Sequence, residues 1–320
     1  MQIKSSMIHP ELRKAGEFIR LVLPCFTERK FRMAKVAIDR LKGKVRRGMK
    51  YEQVYISRED GSQLRLCIYS PLSHRECIPG MLWLHGGGYA MGVPELDVLF
   101  IERFVKSSGC VVVSPDYRLS IEAPYPAALE DGYAALLWLK SHGSEYGMRD
   151  DQIFVGGDSA GGGLAAAVSL YARDKGEVAI AFQIPLYPML DDRMTTPSSV
   201  GNDAPLWNSK SNEIAWKLYL RDLYGTENVP AYAAPARCGE LAGLPPACSF
   251  VGSIEMFRDE TVEYLERLRA AGTPVHYKVF DGCFHGFDIV CARTQVAKEA
   301  VSFITACYKY AVENYFAAQP

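Results

Sequence analysis

Residues 153–172 have the sequence IFVGGDSAGGGLAAAVSLYA. An apolar run typical of a buried strand leads into the turn GDSAG at 157–161, and a helical pattern follows at once. The glycines fit a turn so sharp that the backbone at Ser159 is strained and the strand and helix pass too close for larger side chains. The helix would direct its free N–H groups and positive dipole end toward the serine oxygen. The stretch therefore predicts a nucleophilic serine at position 159.

The chain around this turn alternates short apolar runs with helical patterns. A hairpin is predicted at 54–69, and buried strands are predicted at 81–84, 110–114, 153–155, 179–184, 248–251 and 275–280. Helices are predicted at 127–140, 164–173 and 261–271. This alternation indicates an α/β protein with a mostly parallel central sheet flanked by helices. Sites in such sheets gather at the carboxyl ends of the strands.

A second glycine-rich stretch follows the strand predicted at 81–84. Residues 81–92 are MLWLHGGGYAMG, and the three glycines leave backbone N–H groups that can donate to a developing oxyanion. A phosphate-binding loop is the alternative, but no Gly-Lys-Ser/Thr follows to support it. With the Ser159 turn downstream, we interpret the stretch as an oxyanion loop. We expect His85 to brace this loop rather than to act as a base.

A serine nucleophile needs a base, and the base needs an orienting acid. Among the six histidines, His285 lies just after the last predicted strand, in the glycine-bounded loop GCFHGF at 282–287, whereas His85 is assigned to the oxyanion loop. Its place after the last strand matches the order Ser, Asp/Glu, His that α/β hydrolases use.

The acid is expected after the strand at 248–251, where Glu255 lies in the loop. Asp259 is held in reserve because it already belongs to the first turn of the next helix, a position that the helix dipole favours for acids. Asp281 is too near His285 on one loop to reach around its imidazole. We therefore predict Ser159, Glu255 and His285 as the catalytic residues.

The motifs together resemble the hormone-sensitive-lipase-like esterases, also called the alpha/beta hydrolase fold-3 group. The resemblance runs from about residue 50 to 300 and is carried by HGGGY at 85–89, DYRL at 116–119, PYPAALED at 124–131, GDSAGGGLA at 157–165, FRDE at 257–260 and CFHGFD at 283–288. One departure is that many members have Asp-Pro-Leu where this chain has Glu-Met-Phe at 255–257. A glutamate can orient a histidine just as an aspartate does.

The resemblance implies a helical cap over an α/β-hydrolase domain at 51–320. The cap would combine residues 1–50 with an insertion at about 190–228 that breaks the strand–helix alternation. The family's oxyanion donors correspond to the N–H groups of Gly87, Gly88 and Ala160. Homodimers are common in the family, so the resemblance allows a homodimer here.

The expected activity is hydrolysis of short- to medium-chain carboxylic esters through an acyl-enzyme intermediate, with no metal and no organic cofactor. The same triad could cleave an amide, lactone or carbamate. The motifs are also compatible with a catalytically silent binding module and with a lipase active at interfaces, because a shared fold does not determine function.

The charge is uneven along the chain. Residues 1–50 hold fourteen Lys and Arg, among them Arg46 and Arg47, against four acids, although the whole chain has a net charge of −1. Such asymmetry can mark a surface for nucleic acid or membranes. An apolar stripe at helical spacing (Phe31, Ala34, Ile38 and Leu41) instead favours an amphipathic helix packed on the main domain, with membrane-surface contact as the alternative.

We expect no nucleic-acid partner and no stable membrane insertion, because no apolar run approaches the ~20 residues that span a bilayer. The first residues lack the apolar stretch of a secretory signal, so a cytoplasmic location is expected. The nine scattered cysteines include no CxxC pair and are expected to be reduced structural thiols.

Overall fold

The computed structural model describes residues 1–44 and 48–320; Arg46 and Arg47 of the basic segment lie outside the described residues. The strands are β1 Lys50–Ser57, β2 Gln63–Ser70, β3 Ile78–Leu84, β4 Val111–Pro115, β5 Met148–Asp158, β6 Phe182–Leu186, β7 Ala247–Gly252 and β8 Val275–Phe280. The helices are α1 Arg13–Val22, α2 Glu28–Ile38, α3 Val98–Ser108, α4 Ala127–His142, α5 Ala160–Lys175, α6 Ser209–Leu220, α7 Arg258–Ala270, α8 Phe287–Val290 and α9 Gln295–Asn314.

The eight strands form one sheet in the order β1-β2-β4-β3-β5-β6-β7-β8. The first three of these strands are joined by antiparallel pairings, β1 with β2 and β2 with β4, and all later pairings are parallel. The prediction of a mostly parallel sheet flanked by helices is confirmed. The carboxyl ends of the parallel strands therefore meet at one edge of the sheet.

Both faces of the sheet are covered, because the strand side chains alternate between two apolar cores. On β3, Leu82 and Leu84 pack with α4 and α5, whereas Met81 and Trp83 pack on the opposite face with α3 and α9. This period of two follows from the pleat of a strand. Strands buried on both faces appear in the sequence as continuous apolar runs, which is why they were recognisable.

Several strands differ from their predicted bounds: β1 and β3 begin at Lys50 and Ile78, earlier than predicted, and β5 and β6 differ for reasons that the sheet shows. β5 extends far beyond 153–155, because Gly156 and Gly157 continue it between β3 and β6. β6 begins three residues later than predicted. Ala179 does not join the sheet, since its N–H donates to the side chain of Gln319 near the C-terminus. The strand then continues through Pro185, whose carbonyl oxygen accepts from the Ser249 hydroxyl at 2.5 Å.

The N-terminal helices pack on the segment predicted as the insertion. The N–H of Phe26 donates to the Ser211 hydroxyl at 2.9 Å, and the Asn208 amide donates to the Pro24 carbonyl at 2.7 Å. Arg20 and Asp203 form an ion pair at 2.8 Å. Among residues 1–44 and 48–320, no helix combines the length and the hydrophobicity needed to cross a bilayer.

Candidate active site

Ser159 stands between the end of β5 and the start of α5 in a strained backbone conformation. Its φ is +57° and its ψ is −119°, a region that non-glycine residues rarely occupy. The neighbouring glycines are required by close approach, since a Cβ on Gly157 or Gly161 would lie 2.4 Å or 2.0 Å from the Leu84 carbonyl oxygen. Hydrogen bonds hold the turn, because the Ser159 carbonyl accepts from the N–H groups of Gly163 and Met189, both at 3.0 Å.

His285 lies between the serine and an acid. Its Nε2 is 2.8 Å from Ser159 Oγ, and its Nδ1 is 2.5 Å from Glu255 Oε2. A neutral imidazole with its proton on Nδ1 donates to the glutamate and leaves Nε2 to accept from the hydroxyl. The rings of Tyr187 and Phe257 pack edge-on against the imidazole. The structure thus brings together the three residues that the sequence predicted, and their catalytic roles remain our proposal.

The acid next to the histidine is Glu255, and the other two candidates point elsewhere. Glu255 is fully buried, and its Oε1 accepts from the Gly252 N–H at 2.6 Å. Asp259 accepts from the N–H of Ser198 at 2.7 Å. Asp281 accepts from the Ser253 hydroxyl at 3.0 Å. A loop residue just after β7 is therefore better placed to reach the imidazole than an acid in the first turn of α7.

The loop that carries His285 is clamped from two sides. On one side it touches β7 so closely that a Cβ on Gly252 would lie 2.1 Å from the Cys283 carbonyl oxygen. On the other side the N–H of His9 donates to the Gly282 carbonyl at 2.8 Å. Gly282 itself has a φ of +64°, which favours glycine. The N-terminal segment therefore helps to position the histidine.

The glycine-rich loop after β3 has the features of an oxyanion site. Gly87 has a φ of +117°, and a Cβ there would lie 2.1 Å from the Met91 carbonyl oxygen. A Cβ on Gly88 would lie 2.4 Å from the Trp207 ring. Within the part of the chain that the structure describes, no acceptor is hydrogen-bonded to the N–H groups of Gly87, Gly88 and Ala160. Free N–H groups are the donors that a developing oxyanion needs.

His85 braces this loop from within. Its ring stacks on Tyr117 with the centroids 4.1 Å apart, and its Nδ1 is 2.9 Å from the Gly86 carbonyl oxygen. The Tyr117 hydroxyl donates to the His85 carbonyl at 2.7 Å. Complete burial lowers the pKa of His85 to about 4, so the ring is neutral near neutral pH.

A buried carboxyl pair, Asp97 with Asp158, lies under the loop and beside the nucleophile. Asp97 Oδ2 accepts from the Trp83 indole at 2.8 Å, and a Cβ on Gly86 would lie 2.6 Å from Asp158 Oδ2. Burial raises the pKa of Asp97 to about 6, and burial with the nearby Asp97 charge raises the pKa of Asp158 well above its usual range. The direction of both shifts is that expected of two neighbouring buried carboxyls, because the charge of one opposes ionisation of the other.

Ser159 is only 6% exposed, and an aromatic cluster from the N-terminal segment and the insertion lies beside His285 and Gly88. The Trp207 ring lies 6.3 Å from the His285 ring and contacts Phe26 and Phe31, which stack on each other. A cavity of about 440 Å³ is lined by residues of both segments. A larger cavity of about 570 Å³ lies beside α4, and the lining of neither cavity includes Ser159.

Two features of the site escaped prediction from the sequence. Trp207 was inside the predicted insertion, but nothing marked it as the residue over the oxyanion loop. Asp158 lies within the quoted GDSAG turn, while its partner Asp97 comes from a segment without any motif. An aspartate inside an otherwise apolar, glycine-rich turn is a signal that could have drawn attention to Asp158.

The arrangement can abstract the serine proton and stabilise an oxyanion, which is the chemistry of acyl transfer. Within the described residues, no group of three His, Cys, Asp or Glu side chains is placed to hold a metal ion. The serine, the acid and the histidine follow β5, β7 and β8 in that order, which is the chain order that distinguishes the α/β hydrolases among serine hydrolases. The fold is accordingly that of an α/β hydrolase.

Comparison with known proteins identifies the family. A family model described as alpha/beta hydrolase fold matches residues 81–289, and the chain belongs to that family. Esterase LipI of Mycobacterium tuberculosis (strain ATCC 25618 / H37Rv) is 37% identical over 225 residues, 70% of each chain. The structure titled Bacterial Heroin Esterase superposes with a TM-score of 0.86 at 33% identity and covers 96% of this chain and 98% of its own.

A second solved structure extends the likeness to an archaeal protein. The hyperthermophilic esterase from the archaeon Pyrobaculum calidifontis has a TM-score of 0.81 at 29% identity, covering 95% of this chain and 99% of its own. The resemblance to the hormone-sensitive-lipase-like group is confirmed.

Proposed function

We propose that the protein is a serine carboxylesterase. The observation that carries the proposal is the continuous hydrogen-bonded chain from Ser159 through His285 to Glu255, with distances of 2.8 Å and 2.5 Å. The named relatives support it, since LipI is called an esterase and LipN of Mycobacterium tuberculosis a carboxylic ester hydrolase. The substrate class is a small carboxylic ester.

The first half of the reaction forms an acyl-enzyme. His285 Nε2 takes the hydroxyl proton as Ser159 Oγ attacks the ester carbonyl, and Glu255 stabilises the imidazolium that results. The N–H groups of Gly87, Gly88 and Ala160 donate to the oxyanion. Collapse of this intermediate breaks the bond to the alcohol oxygen, which receives the proton from His285.

The second half releases the acid. His285 takes a proton from water, the water oxygen attacks the acyl carbon, and the same N–H groups receive the second oxyanion. The proton then returns to Ser159 Oγ as the bond to the acyl group breaks. Every step uses groups that are already within reach of one another, which lowers the entropic part of the barrier.

The cover over Ser159 favours short- to medium-chain esters. The Trp207 ring lies over Gly88 of the oxyanion loop and beside His285, and Phe26 and Phe31 hold that ring in place. Residues 1–50 and about 190–228 act as one helical cap in this proposal, because their described parts pack on each other over the strand ends. The homodimer that the family resemblance allows remains a prediction.

The test is hydrolysis of p-nitrophenyl esters from acetate to palmitate by the wild type and by Ser159→Ala. We expect turnover of the short and medium esters and its loss in the variant by a factor of about 10³ or more. Ser169→Ala is the matched control, because this buried hydroxyl of α5 donates only to the Ala165 carbonyl at 2.8 Å. Turnover of amides or lactones in place of esters, or turnover unaffected by Ser159→Ala, contradicts the proposal.

A further inference from the structure

Helix α1 presents large apolar side chains to solvent. Phe18, Leu21 and Val22 are 63%, 80% and 56% exposed. Their spacing of three and four residues places them on one face of the helix. Lys14 and Glu17, four residues before Phe18 and Leu21, share that face, and Glu17 accepts from the Ser5 hydroxyl. The opposite face is turned to the protein, since Gly16 is buried against Phe284 and Pro205.

Helix α2 repeats the pattern independently. Met33 and Val36 are 63% and 61% exposed. Arg29 and Arg40 lie four residues before Met33 and four residues after Val36, so all four side chains form one stripe along the helix and the turn that follows it. Phe31 on the other side is fully buried against Phe26 and Trp207.

These apolar groups cannot be explained by the fold itself. The inner faces of both helices are already occupied by the contacts over the active site, so the outer faces have no apolar surface of this chain to meet. Four of the five large apolar side chains that are more than 60% exposed in the described residues lie on these two helices; the fifth is Leu72. The exposed apolar side chains are thus concentrated on two helices that only five residues join, and such a concentration marks a site of interaction.

The cations on this surface are available to a partner. Among residues 1–44 and 48–320, no acid forms an ion pair with Lys14, Arg29 or Arg40. The first fifty residues carry ten more positive than negative charges, whereas the whole chain has a net charge of −1. Arg20, Lys35 and Lys42 pair with acids that follow in the chain, Asp203, Glu122 and Asp116, so part of this charge is neutralised while the three cations of the outer faces keep theirs.

We propose that the outer faces of α1 and α2 dock on a lipid surface that carries anionic headgroups. The docking surface consists of Lys14, Phe18, Leu21, Val22, Arg29, Met33, Val36 and Arg40. Apolar side chains between cations are the pattern by which amphipathic helices lie in a membrane interface, the first entering the acyl boundary and the second meeting the headgroups. A second copy of the chain fits less well, because pairing the same faces would bring like charges together.

The proposal concerns binding and stands apart from the ester chemistry. It would place the helices that cover Ser159 against the lipid. The test is sedimentation of the full-length protein with vesicles of phosphatidylcholine mixed with phosphatidylglycerol, and with vesicles of phosphatidylcholine alone. We expect the protein to bind the anionic vesicles more tightly than the neutral ones, by about tenfold or more. The reason is that each basic residue near an anionic surface contributes to the affinity.

Two double variants separate the apolar contribution to vesicle binding from the electrostatic one. Met33→Glu with Val36→Glu removes the apolar contact of α2 and is expected to weaken sedimentation with either vesicle by about tenfold or more. Arg29→Gln with Arg40→Gln is expected to weaken binding to the anionic vesicles by about tenfold and to leave binding to the neutral ones unchanged. Leu72→Glu is the control, since it exchanges an equally exposed apolar residue outside the docking surface and is expected to bind as the wild type does. Melting temperatures verify that each variant is folded.

Three outcomes would overturn the proposal. The wild type fails to sediment with anionic vesicles, or Leu72→Glu loses binding as the double glutamate variant does. In the third outcome, the wild type elutes as a dimer that Met33→Glu with Val36→Glu converts to a monomer, which would assign the surface to a second copy of the chain.

Discussion

His285 Nε2 lies 2.8 Å from Ser159 Oγ, although the two residues are 126 positions apart in the chain. β5 and β8 are separated in the sheet by two strands, so the loop after β8 must reach across the strand ends to bring the imidazole to the serine. The clamps at Gly252 and Gly282 hold the loop in that position. The geometry of the site therefore depends on contacts made by β7 and by the N-terminal segment.

The acid that orients His285 is tested by comparing two isosteric variants. Glu255→Gln should lower kcat for p-nitrophenyl acetate by a factor of about 10³ to 10⁴, because an amide holds the wrong imidazole tautomer and does not stabilise its charged form. Asp259→Asn should stay within a few-fold of the wild type, since Asp259 accepts from Ser198 instead. Steady-state kinetics with p-nitrophenyl acetate measure kcat for both variants and for the wild type. If Asp259→Asn showed the larger loss, the acid would be misassigned.

The oxyanion loop is tested at Gly87. Gly87→Ala should lower kcat by about a hundredfold, because the new Cβ meets the Met91 carbonyl oxygen and displaces the N–H donors. Gly176→Ala is the matched control. Gly176 also has a positive φ, +66°, but a Cβ there would have no atom within 4 Å, so only the backbone strain is shared. Equal losses of kcat in the two variants would show that backbone strain alone, and not displacement of the N–H donors, causes the loss.

The carboxyl pair predicts a pH-dependent stability difference. Asp158 holds its proton in the folded protein at pH values where the unfolded chain has lost it, since burial raises its pKa well above the ordinary 3.8. A raised pKa means that the stability contributed by this group is present at low pH and is lost as the pH rises. Asp158→Asn cannot titrate and keeps a donor toward Asp97. The variant should therefore gain stability relative to the wild type as the pH rises above about 4.

Urea unfolding at about pH 5 and about pH 7 measures this difference. The free energy of unfolding of Asp158→Asn minus that of the wild type should increase by about 1.4 kcal/mol per pH unit at most. Burial also raises the pKa of Asp97 to about 6. The free energy of unfolding of the wild type therefore falls further as the pH rises toward that value. A difference that does not change with pH would show that Asp158 is ionised in the folded protein.

Trp207 is predicted to limit the length of the acyl chain. Trp207→Leu keeps an apolar cover while shortening it, and the space opens beside Gly88. We expect the ratio of kcat/KM for octanoate to that for acetate to rise by about tenfold, in the range that a few methylene groups contribute in an apolar pocket. Trp138→Leu is the control, since this indole stacks on His142 in α4. An unchanged ratio of kcat/KM values would show that Trp207 does not line the substrate pocket.

The parts of the fold that the sequence predicted were those with a local signal. The strand–turn–helix around Ser159 was recognisable because its glycines, serine and apolar runs all lie within twenty residues. Glu255 could be placed because it follows β7, which is buried on both faces and therefore continuously apolar. His285 follows the partly exposed edge strand β8 and could be placed by its position in a glycine-bounded loop after the last strand. Fold class and family membership followed from these motifs.

Other features depend on contacts between distant residues and left no local signal. β5 was predicted as three residues because Gly156 has a low strand propensity, yet the ring of Trp83 requires a glycine there, since a Cβ would lie 2.8 Å away. Asp97 meets Asp158 from 61 positions away. α3 and α9, which cover one face of the sheet, were not among the predicted helices.

The central claim is that Ser159 becomes acylated during turnover. The most direct measurement is mass spectrometry of peptides from enzyme quenched in acid while it hydrolyses p-nitrophenyl acetate. We predict an acetyl group on the peptide that contains Ser159, absent from Ser159→Ala and accumulating further in Glu255→Gln if deacylation is slowed more than acylation. An acetyl group confined to another residue, or full turnover by Ser159→Ala, would contradict the account.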